Sequence, residues 1–177
     1  MGLSHALALS DGTRVDSPRH LRTSLRQLRV LQRSVARKRR GGSNRRKAVG
    51  RLARLHERIG NQRQDFWHKV TRRLVNNYGR VVLEDLSLGF MLRSRSLSLA
   101  AHDVGLGTFR ELLDYKATEA GVEVVAVNPR NTRQACSGCG SIVPKDLNVR
   151  VHACPDCGLV LDRDVNAARN VLPTGLY

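Results

Sequence analysis

The 177-residue chain is short of acid: 15 Asp and Glu stand against 31 Lys and Arg, a formal charge of +16. The shortage is local. Residues 18–80 hold 20 Lys and Arg but only two acids, Glu57 and Asp65, for a net of +18, while the other 114 residues come to −2. Like charges at that density repel unless a partner neutralises them. With a pI near 11.2, this points to a polyanion, either nucleic acid or an anionic membrane surface. Other absences narrow the choice. No run approaches the roughly 18 consecutive apolar residues of a membrane span. No charged n-region precedes an apolar stretch, so no secretory signal is read, and Ala6 stands where a myristoylation motif needs Ser or Thr. There is no long internal repeat and no linker-like tract. What is present is 41% hydrophobic, enough to bury a core.

Residues 5–16, HALALSDGTRVD, place Asp11-Gly12 between two short alternating runs and predict a two-residue β-hairpin. After Pro18, apolar residues fall at Leu21, Leu25, Leu28, Leu31 and Val35, a helical spacing. Arg22, Arg26, Arg29, Arg33 and Arg37 recur at the same period as a basic stripe. Lys38-Arg39-Arg40 leads into the breaker Gly41-Gly42-Ser43-Asn44, with Arg45, Arg46 and Lys47 just beyond. A second helix is read from Leu52, Leu55, Ile59, Phe66, Val70 and Leu74, about 50 Å long if it runs unbroken from Arg45 to Asn77. Gly60 is its weak point. Residues 19–77 are therefore expected to form an antiparallel helical hairpin, apolar inside and arginine-rich outside. Because the apolar stripe has the form of a packing seam, nucleic acid is preferred to a membrane surface.

The period then changes. Residues 80–86 and 122–127 are β-branched runs, and 104–121 between them read as a helix with Val104, Phe109, Leu112, Leu113 and Tyr115 on its apolar side. A β–α–β order predicts a parallel pair in a mixed α/β sheet. Residues 87–103, rich in Ser and Leu, read as a mobile loop, and Asp164–Leu172 as a short final helix.

All four cysteines lie in two CxxC pairs, Cys136/Cys139 and Cys154/Cys157, each followed by glycine. Disulfides need an oxidising compartment, for which there is no signal, and a redox CxxC does not explain two matched pairs. An iron–sulfur cluster is the remaining alternative to the preferred reading, a structural zinc ribbon with four cysteine ligands. A closed tetrathiolate has no open coordination position, so catalysis is not assigned to it. His152 reads as a surface histidine that is not a ligand. Glu84 and Asp85 close a strand, while Asp162 and Asp164 open a helix. Such carboxylates can hold hard divalent cations for phosphodiester hydrolysis. Alternatively Asp162 caps the helix and Glu84 is a strand-end acid.

VVLEDL, the CSGCG…CPDCG ribbon and DRDVNAARN together closely resemble the TnpB (OrfB) proteins of insertion sequences, transposon relatives of the type V CRISPR effectors. SDGT, SNRRKA, RLARLHERI and NQRQDFWHK resemble the middle segment of the same family, so the likeness covers nearly the whole chain. The resemblance implies an α/β ribonuclease-H-like (RuvC) nuclease domain with an inserted zinc ribbon that binds target nucleic acid. It also implies RNA-guided, Mg²⁺-dependent DNA cleavage by an Asp-Glu-Asp triad. By motif the Glu is Glu84 and the last Asp is Asp164, with Asp162 the lesser candidate. The implied domains are an incomplete RuvC-like part over 1–129, the ribbon over 130–161 and a C-terminal motif over 162–177. DNA and a guide RNA would lie against the hairpin residues Arg26, Arg29, Arg33, Arg37, Lys38, Arg39, Arg40, Arg45, Arg46 and Lys47. Neither a membrane nor a small-molecule substrate is implied, and the expected location is the prokaryotic cytoplasm, at the nucleoid.

One departure from the family pattern is expected to matter. Its first catalytic Asp lies in a Gly-Ile/Val-Asp-x-Gly strand, and aligning the SDG motifs puts that Asp one position before Met1. Asp11 and Asp16 sit at the hairpin turn and exit and do not replace it. The 5–16 hairpin would then lack the central strand that joins it to strand 80–84. The chain by itself is thus expected to be a fragment without cleavage activity, from a misassigned start or a truncated gene. The alternative is a non-catalytic zinc-ribbon protein that binds nucleic acid.

Overall fold

The structure, a computed structural model, describes residues 2, 5–86, 88–95, 97–146 and 149–174. Residues 175–177 of the expected C-terminal motif lie outside the described residues. Strands β1 (His5–Ala8) and β2 (Arg14–Asp16) pair antiparallel. Their connection is one residue longer than the expected two-residue turn. The Leu9 amide donates to the Thr13 carbonyl (2.9 Å) and the Gly12 amide to the Leu9 carbonyl (3.1 Å), which closes a loop of Ser10, Asp11 and Gly12. Gly12 takes φ +91°, as the third position of such loops requires. Asp11 accepts the Thr13 amide at 2.7 Å and the Tyr78 hydroxyl at 2.8 Å, tying the hairpin tip to the far end of the second helix.

Helices α1 (His20–Ala36) and α2 (Ser43–Asn77) form the expected helical hairpin. At 35 residues α2 runs about 52 Å without a break at Gly60. Its length serves two cores. The first half packs Leu55 and Ile59 against Leu28, with Leu21, Leu31 and Leu52 at the edge. The second half inserts Trp67, Val70, Leu74 and Val75 into the main core, where the Trp67 and Phe109 rings lie 4.7 Å apart. Trp67 is the largest fully buried side chain described, although the apolar periodicity had singled out its neighbour Phe66.

The described residues of 87–103 are largely helical rather than a loop. They include helices α3 (Leu88–Arg93) and α4 (Ser98–Val104), because Ala101 and Val104 repeat at helical spacing and find a core to enter. α4 also fastens the hairpin. Buried Asp103 accepts the Leu21 and Arg22 amides at 2.7 and 2.9 Å, satisfying the start of α1 that no local side chain caps. Trp67 Nε1 donates to the Val104 carbonyl at 2.7 Å, and Arg63 to the His102 carbonyl at 2.6 Å.

Strand β3 (Arg80–Glu84), helix α5 (Leu106–Ala120) and strand β4 (Glu123–Val127) form the predicted β–α–β unit, with a parallel register from Arg80↔Glu123 to Glu84↔Val127. Tyr115 departs from expectation: it is exposed, because Leu113, Lys116 and Ala117 take the inward positions. Beyond β4, strands β5 (Val151–Ala153) and β6 (Val160–Asp162) pair antiparallel in the cysteine segment, and helix α6 (Arg163–Thr174) follows. The expected mixed sheet is not present among the described residues. Among the described residues each strand pair is its own two-stranded sheet. A largely apolar gap of about 330 Å³ separates β1 from β3, bordered by Leu7, Leu83, Phe109, Ala167 and Val171. No described helix is long and apolar enough to cross a membrane.

The remote cap makes a specific prediction. Asp103→Ala should cost about 1–2 kcal/mol. Hydrogen exchange should accelerate over residues 20–36 far more than over α5, whereas uniform acceleration would show that α1 docking does not depend on this carboxylate.

Candidate functional site

The four cysteine sulfurs converge, with all ligand atoms within 4.8 Å of one another. Cys136 and Cys157 are 3.6 Å apart, as are Cys139 and Cys154. Sulfurs bound tetrahedrally at the Zn–S length would be separated by about 3.8 Å. Two matching turns produce this. The Cys136 amide donates to the Ser141 carbonyl and the Gly140 amide back to the Cys136 carbonyl, while Cys154, Leu159 and Gly158 repeat the pattern. Gly140 (φ +82°) and Gly158 (φ +73°) occupy the left-handed conformation that closes each turn. The group can hold a metal ion.

Its electrostatics show why a cation suits it. The hydroxyl and amide of Ser141 hold the Cys139 thiol down at about 6. At Cys157 the Leu159 amide pulls the same way, but the neighbouring sulfurs of Cys139 and Cys136 outweigh it and push that thiol up to about 12. Four thiolates cannot share this volume without a positive charge among them.

His152 is fully buried, not on the surface, because β5 turns this one side chain under the ribbon, where Nδ1 meets Lys145 Nζ. Burial, with Lys145 adding to it, lowers its pKa below the ordinary value.

Glu84 and Asp164 come together although 80 residues apart in sequence. Glu84 is buried at the C-terminal end of β3. Thr132 donates its hydroxyl to Glu84 Oε1 at 2.6 Å. The Arg133 guanidinium lies 3.8 Å from Glu84 Oε2 and 4.0 Å from Asp164 Oδ1, so one cation bridges both acids. Asp162 is used differently. Its Oδ1 accepts the Asp164 and Val165 amides at 2.8 and 3.2 Å, capping α6, and its other oxygen faces Arg14 at 3.6 Å. Asp85 is exposed.

The residues that build this site were not singled out by sequence. Asn166 donates to the Ala135 carbonyl (2.7 Å) and accepts the Ser137 amide (2.9 Å). Asn170 donates to the Thr132 and Ala135 carbonyls, each at 2.8 Å. The available signal was their i, i+4 spacing on α6, which places both on one face. In the helical hairpin, Arg26, Arg29, Arg33, Arg37, Arg39, Arg40, Arg46 and Lys47 are exposed, and Lys38 and Arg45 are half-buried. Among the described residues none of the ten pairs with a carboxylate.

Comparison with known proteins places these features in context. Residues 1–95 match the family described as "Probable transposase" (OrfB_IS605), and residues 107–171 match the "Cas12f1-like, TNB domain". A "Putative RNA-guided DNA endonuclease" of Streptomyces pristinaespiralis is 41% identical over 99% of this chain and 44% of its own length. The "Putative RNA-guided DNA endonuclease InsQ" of Escherichia coli is 32% identical over 78% of this chain and 38% of its own. In fold, the chain resembles the protein in a cryo-EM structure of a "Cas12f1-sgRNA-target DNA complex", with TM-score 0.60, 18% identity, and coverage of 90% of this chain and 43% of that one. The chain thus spans less than half the length of each.

Thiolates bind metal only when deprotonated, so loading should be weaker at about pH 5 than at about pH 8. One metal per chain is expected by elemental analysis. Cys136→Ser should abolish it and expose the amides of 135–161 to exchange without unfolding the helical hairpin. A protein free of metal after reduced purification would contradict the tetrathiolate reading.

Proposed function

The chain belongs to the OrfB_IS605 family of probable transposases and carries the Cas12f1-like TNB domain, and on that premise we propose that it forms the nuclease core and target-binding ribbon of an RNA-guided DNA endonuclease. One observation carries this reading above the others: Glu84 and Asp164 meet on one guanidinium, at the end of a parallel strand and at the root of the four-cysteine segment. A purely structural ribbon protein has no need of two carboxylates, remote in sequence, converging beside it.

Glu84 and Asp164 are hard oxygen donors, neither consumed by helix capping, and Mg²⁺ is held through one or two carboxylates with water and substrate phosphate completing its shell. They are the residues that would hold it. Bound there, the ion supplies charge stabilisation to a phosphoryl group under in-line attack. Thr132 orients the Glu84 carboxylate through its 2.6 Å hydrogen bond. Arg133, which bridges both acids, is assigned to meet a phosphate oxygen. The four-cysteine cluster is assigned Zn²⁺ and a structural role. The ten cationic side chains on α1, the turn after it and the start of α2, none with a carboxylate partner among the described residues, form the surface for DNA and guide RNA, where phosphates supply the missing negative charge.

Arg133 occupies both carboxylates, and among the described residues β1 and β3 are not joined in one sheet. The isolated chain is therefore expected to bind nucleic acid but not to cut it. Supercoiled plasmid incubated with Mg²⁺ or Mn²⁺ tests this; robust nicking that disappears in Glu84→Gln would overturn the expectation of inactivity while supporting the carboxylate assignment.

Binding should weaken steeply with salt. Arg29→Ala combined with Arg33→Ala should lower the slope of log K against log [salt] by about 2 and weaken all sequences alike. A slope near zero for the unmodified protein would remove the nucleic-acid reading of the hairpin.

A further inference from the structure

Well beyond the seam with α1, α2 and α5 enclose a shallow groove of about 610 Å³ that none of the roles above uses. From Ile59, the last α2 residue buried against α1, to His68, where the groove begins, is about 14 Å along the helix. Lys69, Arg72, Arg73 and Asn76 of α2 line one wall, and Tyr115 and Lys116 of α5 the other. Three features are unusual together. Lys116 is only 2% exposed, yet its ammonium meets neutral acceptors, the His68 carbonyl at 2.7 Å and the Thr71 hydroxyl at 2.9 Å. Among the described residues no carboxylate lies within ion-pair distance of it; burial and nearby Arg72 lower its pKa, and the more distant Glu119 only partly opposes them. Tyr115, 43% exposed, presents an aromatic ring beside it, 5.9 Å from the Lys116 nitrogen. Among the described residues only two of the groove's four cations form ion pairs, Lys69 with Asp65 at 2.7 Å and Arg72 with Glu119 at 4.0 Å.

Arg73, exposed and without a carboxylate partner among the described residues, calls for an anion, and an exposed aromatic ring in a basic groove calls for a flat apolar surface. A single nucleic-acid strand offers both, as phosphate and unstacked base. A duplex offers only its backbone, because its bases are stacked away.

We propose that the α2–α5 groove is a second nucleic-acid site, separate from the arginine stripe of α1, that takes one unpaired strand by stacking a base on Tyr115 and placing its phosphates against Arg72 and Arg73. The proposal rests on the nucleic-acid reading above but assigns it a different surface and a different strand form.

The full chain is titrated by fluorescence anisotropy with labelled oligo(dT) of about 20 nucleotides and with a duplex of equal length. Stacking on an aromatic side chain is worth about 1–3 kcal/mol. Tyr115→Leu should therefore weaken oligo(dT) binding about tenfold and duplex binding less than about twofold, and Tyr115→Phe should restore it. Arg73→Ala should weaken oligo(dT) as well, whereas Arg29→Ala with Arg33→Ala should weaken both ligands. A 2-aminopurine in the oligonucleotide should be quenched by the unmodified protein and not by Tyr115→Leu. Exposed Tyr115 can be replaced without loss of fold, which the thermal transition checks. If both groove variants hold oligo(dT) within about twofold of the unmodified protein while the α1 variant loses it, the groove proposal falls and the hairpin reading stands. If the unmodified protein binds neither ligand, both fall. Displacement of oligo(dT) by polyglutamate at equal charge, unaffected by Tyr115→Leu, would overturn the proposal in favour of an acidic polypeptide.

Discussion

Two asparagine side chains on α6 hold the loop on which the acidic pair and the four-cysteine cluster both depend. Asn166 and Asn170, one helical turn apart, grip the backbone of residues 132–137 through four hydrogen bonds of 2.7–2.9 Å. That segment carries Thr132 and Arg133 on one side and the first ribbon cysteine on the other. The same grip therefore sets the hydroxyl against Glu84, the guanidinium between Glu84 and Asp164, and Cys136 within reach of Cys157. Asn166 is completely buried, where an amide must find partners for its oxygen and nitrogen or lose more than a kilocalorie per unmet group, about 1–3 kcal/mol. With its partners supplied by backbone, it fastens the irregular loop to α6. α6 is fastened in turn by Asp162, which caps its first turn.

The helical hairpin obeys a different constraint. Its cations repel one another, so other interactions must hold it together. The seam of Leu28, Leu55 and Ile59 is small, and help comes from α4, where Asp103 receives the unsatisfied amides of α1 and the backbone accepts Arg63 and Trp67. A negative charge at a helix N-terminus is favourable twice over, by hydrogen bonding and by the helix dipole. A carboxylate from a remote segment accomplishes this without placing an acid on the basic surface. The long α2 then transmits the arrangement to the main core, because Trp67 and Leu74 belong to the same helix as Leu55.

The strand pairs are the least satisfied part of the molecule. A parallel pair of two strands is unusual, since parallel strands are ordinarily buried within larger sheets. Here β3 and β4 are backed by α5, yet β3 faces β1 across an apolar gap and makes no ladder with it. The catalytic reading of Glu84 and Asp164 belongs to a fold shared with longer relatives, of which this chain spans less than half.

Local patterns were readable directly from the residues. The CxxC pairs and their glycines, the helical period of α1 and α2, and the β–α–β order follow from short-range geometry and from the periods of helix and strand. They were enough to anticipate the four-cysteine cluster and the basic hairpin, and to offer helix capping as one of two readings of Asp162. Four features were decided only by tertiary structure. His152 is buried because β5 turns inward under the ribbon. Residues 87–103 are partly helical because Ala101 and Val104 have a core to enter. Tyr115 faces outward because Leu113 and Lys116 fill the inner positions. Arg133 bridges Glu84 and Asp164 because Asn166 and Asn170 hold its loop. In each case the outcome depends on contacts between residues far apart in the chain, and such contacts leave no period or spacing in the sequence.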